Sequence, residues 1–279
     1  MKPPSAPLFA LRLLSYAILV GIVTIPLSAR GKPQQSNGDP RAEARRFLNE
    51  GVEAYRNADF DKAIEDFRKA KELDPLLENA RLYLATAYAS QYIPGAPSEE
   101  NRRNGERAIQ EFKEILEKNQ NDLSAIDGIG SVLYNMAGTP FDAEKMQESK
   151  SYQQKHTQLR PDDPEPYYWI GVIDWSICYH ANKGMREDYN RRPGNPVKES
   201  DAMPPSLTKE FASAYGATAD DGIASLQRAI ELRSDYDDAM AYLNLLYRQK
   251  ADMESTVAAR EADLRAADEL VDKVKAVKQ

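Results

Sequence analysis

The chain has 279 residues, a single cysteine and a formal net charge of -7. One cysteine excludes an internal disulfide and a thiolate zinc cluster, and the acidic balance argues against nonspecific nucleic-acid binding. The length gives room for one or two domains.

At the amino terminus Lys2 and Arg12 flank an apolar lead into Leu13 to Leu27, LLSYAILVGIVTIPL, followed by Ser28, Ala29 and Arg30. A basic start and a short hydrophobic core predict a secretory signal over residues 1–29, cleaved after Ala29. The run is short for a membrane span and Pro26 closes it. An uncleaved amino-terminal anchor, with membrane association through it, is the alternative. Removing this segment takes away two cations, Lys2 and Arg12, and moves the net charge from -7 to -9. Residues 30–39 read as a polar linker, ending in Asp39-Pro40, a cap with proline at the first helical position.

The next stretch, Phe47 to Pro75, reads as two amphipathic helices joined at Asn57 to Phe60. Phe47, Glu50, Gly51 and Ala54 share a face of the first, and Ala63, Phe67, Ala70 and Leu73 form the stripe of the second. Small residues at Gly51 and Ala63 suit a close crossing, and Asp74-Pro75 ends the pair. Advancing Gly51 and Ala54 by about 34 residues lands on Ala85 and Tyr88 in ENARLYLATAYA, a second first-helix pattern in phase. These two stretches resemble the tetratricopeptide repeat family. The resemblance implies an all-α fold, a right-handed superhelical solenoid of about five helical hairpins over residues 40–279.

Later pairs carry insertions. In the second, Ala85 to Ala108 spans 23 residues where Gly51 to Ala63 spans 12, so YIPGAPSEENRRNGE adds 11 before Ala108, Phe112 and Ile115 restore the stripe. The third pair begins at Asp122 with Ile126, Ile129, Gly130 and Leu133 inward; its second helix starts near Phe141, with Gln153 where Phe67 and Phe112 stand in earlier pairs. Asp163-Pro164 announces the fourth. Its partner helix is predicted only at Asp220 to Asp235, and Gly171 to Gly222 is 51 residues, an insertion of 39. That insertion, about 181–218, reads as an irregular excursion containing one short helix. The fifth pair starts at Asp237 with Asn244 at the usual small position, and Ser255 caps a final helix to about Val277 that closes the solenoid end.

In the family, partners lie against the concave surface made by the first helix of each pair. Transferred onto this sequence, that surface includes Tyr55, Arg56, Asn79, Tyr134, Asn135, Tyr168, Trp175 and Arg248, a mixture of aromatic and polar side chains suited to recognition. Enzyme chemistry has little support. His156 and His180 have no neighbour at metal-ligand spacing, Cys178 and His180 are two apart on a helix and face different ways, and no phosphate-loop pattern occurs. No cofactor is expected. The expected function is an exported, periplasmic scaffold or adaptor that binds a protein or peptide. Two alternatives remain: a small-molecule or glycan receptor closed over Tyr168 and Trp175 by the insertion, and a self-assembling structural subunit.

Overall fold

A computed structural model describes residues 39–192, 194 and 196–278. The expected signal and nearly all of the linker lie outside the described residues. Among the described residues ten helices follow one another: α1 Pro40–Arg56, α2 Phe60–Leu73, α3 Glu78–Gln91, α4 Glu99–Lys118, α5 Leu123–Ala137, α6 Ala143–Leu159, α7 Pro164–Asn190, α8 Pro205–Leu232, α9 Asp237–Ala251 and α10 Val257–Val277. None of the described helices is long and apolar enough to cross a membrane. The chain divides into two compact units, Met1–Tyr152 and Gln153–Gln279, with the boundary inside α6.

In the first unit the starts of α1, α2, α4 and α5 are set by side chains that accept otherwise unpaired amides. Asp39 accepts from Arg41 N at 3.0 Å, Asp59 from Lys62 N at 3.2 Å, Ser98 from Asn101 N at 3.1 Å and Asp122 from Ala125 N at 2.9 Å. Ring-and-glycine sockets close the crossing within the first hairpin and the one between the second and third. A Cβ at Gly51 would sit 2.6 Å from the Phe67 ring, and one at Gly128 would sit 2.4 Å from the Phe112 ring. Both rings are fully buried, so glycine admits at each crossing a ring that any larger residue would expel. Ala54, Ala63, Leu84, Ala85, Ala108, Ile129 and Leu133 complete one apolar cluster around them.

The 11-residue lengthening of the second pair becomes helix as well as loop. α4 begins at Glu99, eight residues before the predicted RAIQEF segment. The short connection ahead of it is held by Asn101, which accepts from Ile93 N at 2.7 Å and donates to Ile93 O at 2.8 Å and Ala96 O at 3.1 Å.

The second unit departs further from expectation. Most of residues 181–218 is helical rather than an irregular excursion: α7 runs on to Asn190 and α8 starts at Pro205. Two physical reasons account for this. Pro205 occupies the first turn of α8, where a missing amide costs nothing. Arg186, inside the expected excursion, is 5% exposed and is the centre of a hydrogen-bond network. Its guanidinium donates to Asn182 Oδ1 at 2.8 Å, Lys198 O at 2.7 Å, Asp201 O at 3.0 Å and Asp252 Oδ2 at 2.7 Å. Asn182 Nδ2 donates to the same Asp252 oxygen at 3.0 Å. One buried cation thereby joins α7, the connection and the residue that ends α9.

Close crossings recur here with other partners. A Cβ at Gly171 would meet Leu226 Cγ at 2.2 Å, and one at Gly222 would meet Asp174 Cβ and Leu246 Cδ2 at 2.7 Å. Asn244, which breaks the small-residue pattern, is buried and donates to Ala267 O of α10. A polar group replaces close packing with a satisfied bond there. α10 is capped by Thr256, which accepts from Ala259 N at 3.2 Å, one residue beyond the expected Ser255.

Candidate partner-binding face

Of the eight residues expected on the first-helix face, five lie in the first unit. Tyr55 is half-buried. Its hydroxyl is 2.8 Å from Ser90 Oγ and its ring meets Phe60 edge-on at 5.3 Å. Burial raises the Tyr55 phenol above its ordinary range, with the Ser90 bond opposing. The position of the ring is therefore fixed from two sides. Arg56 follows it, exposed, with its charge drawing down the Tyr83 phenol that burial pushes up. Asn79 is exposed at the start of α3. Tyr134 and Asn135 are half-buried in the last turn of α5. Arg56, Asn79 and Asn135 make no side-chain hydrogen bond or ion pair with another described residue.

Asn79 also lines a pocket of about 130 Å³ with Lys71, Leu77, Arg81, Leu82 and Ile115. The charges at its edge are largely matched. Lys71 Nζ reaches both carboxylate oxygens of Glu111 at 2.6 and 2.8 Å, and Arg81 approaches Glu114 at 3.3 Å. These residues come from three helices, so no single periodic pattern announces the pocket.

The remaining three lie in the second unit and are engaged there. Tyr168 and Trp175 are each 7% exposed. Tyr168 packs on Trp169, Tyr236 and Tyr242 at centroid separations of 5.3, 5.0 and 5.8 Å. Trp175 stacks on Tyr179 at 5.3 Å and meets the edge of Tyr242 at 5.3 Å. Such offset and edge contacts are how aromatic rings fill an interior. Tyr236 donates to Glu165 Oε2 at 2.8 Å, and burial drives its phenol far above the ordinary range. Arg248 donates to Asp268 Oδ1 at 2.6 Å. The aromatic set read as a platform thus serves packing between α7 and α9, and the connection 191–204 is tied to Arg186.

The reactive side chains are poorly placed for chemistry. Cys178 is completely buried. His180 is half-buried, and burial, then the Lys183 charge, lowers its imidazole below the usual range. Among the described residues no group of three His, Cys, Asp or Glu side chains is arranged to hold a metal ion.

No protein-family model and no curated protein matches the sequence. Solved structures do. MamA 41-end from Desulfovibrio magneticus RS-1 superposes with a TM-score of 0.54 at 15% identity, over 86% of this chain and 96% of that one. A crystal structure of a MamA protein gives 0.54 at 15% identity, over 83% and 93%. YrrB, described as a TPR protein with an unusual peptide-binding site, gives 0.48 at 15% identity, over 81% and 86%. Consecutive helical hairpins with small residues at the crossings, together with the two superpositions at a TM-score of 0.54, give the described chain a tetratricopeptide-like fold.

Proposed function

We propose that the protein is an exported, non-catalytic scaffold that binds a peptide segment of a partner protein through the first-helix face of its first unit. The observation that carries this reading is the set of side chains on that face with nothing to bond to: exposed Arg56 and Asn79, and Asn135 beside them in sequence register on α5, around a Tyr55 ring already fixed by Ser90 and Phe60. Stacked helical repeats use such faces for extended recognition. A pre-positioned aromatic ring lowers the ordering cost of binding. Lys2, Arg12 and the apolar run to Leu27 support the export part of this reading, with the periplasm as the compartment proposed.

The test is affinity capture from the native envelope fraction with the chain from Arg30 to Gln279, in parallel with the triple variant Arg56→Ala, Asn79→Ala, Asn135→Ala. A partner held by the native chain and weakened about tenfold or more by the variant supports the face. Equal retention by both removes it. Amino-terminal sequencing of the envelope protein tests export: a first residue at Arg30 supports it, and a cytoplasmic chain retaining Met1 overturns it.

A further inference from the structure

Charge is distributed unevenly around α1. Arg41, Arg45, Leu48, Val52, Tyr55 and Arg56 fall within an arc of about 100° of the helix circumference, and the acids of the helix, Glu43, Glu50 and Glu53, lie outside it. Leu48, Val52 and Tyr55 are half-buried and pack on the core of the first unit, as does Leu82 of α3. They form an apolar floor with the exposed Arg45 at one end and the exposed Arg56 at the other.

Neither arginine has a carboxylate within ion-pair distance among the described residues. The residues three and four positions from Arg45 are Arg41, Ala42, Leu48 and Asn49, none of them acidic. Glu53 stands three residues before Arg56 and makes no ion pair with it. This differs from the rest of α1 to α4. Arg46 holds Glu43 and Glu50, and every arginine of α2, α3 and α4 has a carboxylate or phenol partner. The other first helices of the unit add no competing acid to the face: α3 offers Asn79, Leu82 and Thr86 there, and the one charge of α5, Asp127, is already engaged. The whole chain carries a net charge of -7, so cations gathered on one arc without acids do not follow from composition. Such an arc favours a partner of opposite sign and repels one of like sign.

We propose that the peptide recognised by the first-helix face is acidic: an extended segment with two carboxylate side chains, one on Arg45 and one on Arg56, and an apolar side chain between them over Leu48 and Val52. This rests on the reading of that face as the binding surface and supplies the chemistry of its partner. Arg45 and Arg56 stand about 16 Å apart along the helix axis. An extended segment rises about 3.3 Å per residue and shows alternate side chains to one face, so acids about four or six residues apart reach both. Two separated cations ask for two separated charges, and a single terminal carboxylate does not meet them.

Panning a random displayed peptide library on the chain from Arg30 to Gln279, then measuring fluorescein-labelled, amidated winners by anisotropy, tests this. The expected winners carry two Asp or Glu about four or six positions apart with an apolar residue between. Changing both acids to their amides weakens binding about tenfold or more, and so does Arg45→Glu in the protein. Both arginines are exposed, and an unchanged urea midpoint shows that each variant keeps the fold. Panning on the double variant Arg45→Glu, Arg56→Glu is expected to exchange the acids for Lys or Arg, an outcome that a merely structural role for the arginines would not produce. Three results overturn the acidic partner: no enriched sequence, winners without paired acids, or acidic winners that bind Arg45→Glu as tightly as the native chain. Winners without paired acids that are lost on Asn79→Ala, Asn135→Ala leave the first-helix face standing and remove only its acidic partner. Winners indifferent to every one of these substitutions remove both.

Discussion

The two units bury their helix faces by different means. In the first, rings enter glycine sockets and alanines fill the crossings, so each hairpin contributes locally and nonpolar contact dominates. In the second, α7 and α8 outgrow the repeat, and much of the added interior is polar or aromatic: Arg186, Asp252, Asn182 and Asn244 beside Tyr168, Trp175 and Tyr242. Apolar burial degrades in proportion to what is removed. A buried ion pair degrades abruptly when one member is lost, because the other stays behind without its counter-charge.

Breaking the ion pair gives the largest expected effect. Arg186→Met takes from Asp252, 12% exposed in side chain, its nearest counter-charge, leaving only the Asn182 amide at 3.0 Å and Arg260 at 4.0 Å, and is expected to cost about 3 kcal/mol in urea unfolding. Adding Asp252→Leu should recover much of that loss, the non-additivity expected of a coupled pair. In the first unit Phe112→Ala should cost a similar amount, about 3 kcal/mol, through cavity formation, with no second substitution that restores it so simply. Additive losses at Arg186 and Asp252 would erase the contrast between the units.

Smaller changes sharpen it. Gly128→Ala and Gly171→Ala both force a side chain into an occupied site and are expected to cost about 1–3 kcal/mol, visible as a lowered urea midpoint. Ser98→Ala removes the α4 cap and should cost about 1 kcal/mol, with faster amide exchange across 92–98.

The smallest effect is a gain. Asp263 has one buried carboxylate oxygen without a hydrogen bond among the described residues. Burial first, then Glu254 and Asp220, raises its pKa, against the pull of Lys250. The folded carboxyl therefore holds its proton to higher pH than the unfolded one, and stability falls as pH rises from about 4 into the raised range. Asp263→Asn should raise the Tm at pH 7, with the difference closing below about pH 4. A difference that persists at low pH would point to a cause other than charge.

The contrast also explains what was readable in the sequence. Gly51, Phe67, Gly171, Gly222 and Leu226 each fall on the small or apolar stripe of their own helix, and periodicity reports such positions directly. The extended α7 and α8 were hidden because their inward residues include Arg186 and Asn182, whose burial depends on carbonyls and a carboxylate supplied from distant positions. Asn244 was visible as a departure, but its partner, the Ala267 carbonyl, was not. Tyr168 and Trp175 show the converse case. Two aromatic residues on the expected face say nothing of Tyr236 and Tyr242, which cover them. The extra 11 residues before Ala108 signal an insertion but not the Asn101 bonds that hold it, since spacing gives length without chemistry.

The single cysteine has a practical consequence that its inertness conceals. Cys178 is sealed inside α7, and the first unit contains no thiol at all. A thiol reagent can modify the native chain only when the second unit opens, so the labelling rate, followed against reagent concentration, becomes an intrinsic clock for that opening. No engineered reporter is needed. Peptide added during such labelling would reveal whether occupancy of the first unit is felt in the second: an unchanged rate means the units respond independently, and a slowed one means that binding is communicated along the chain.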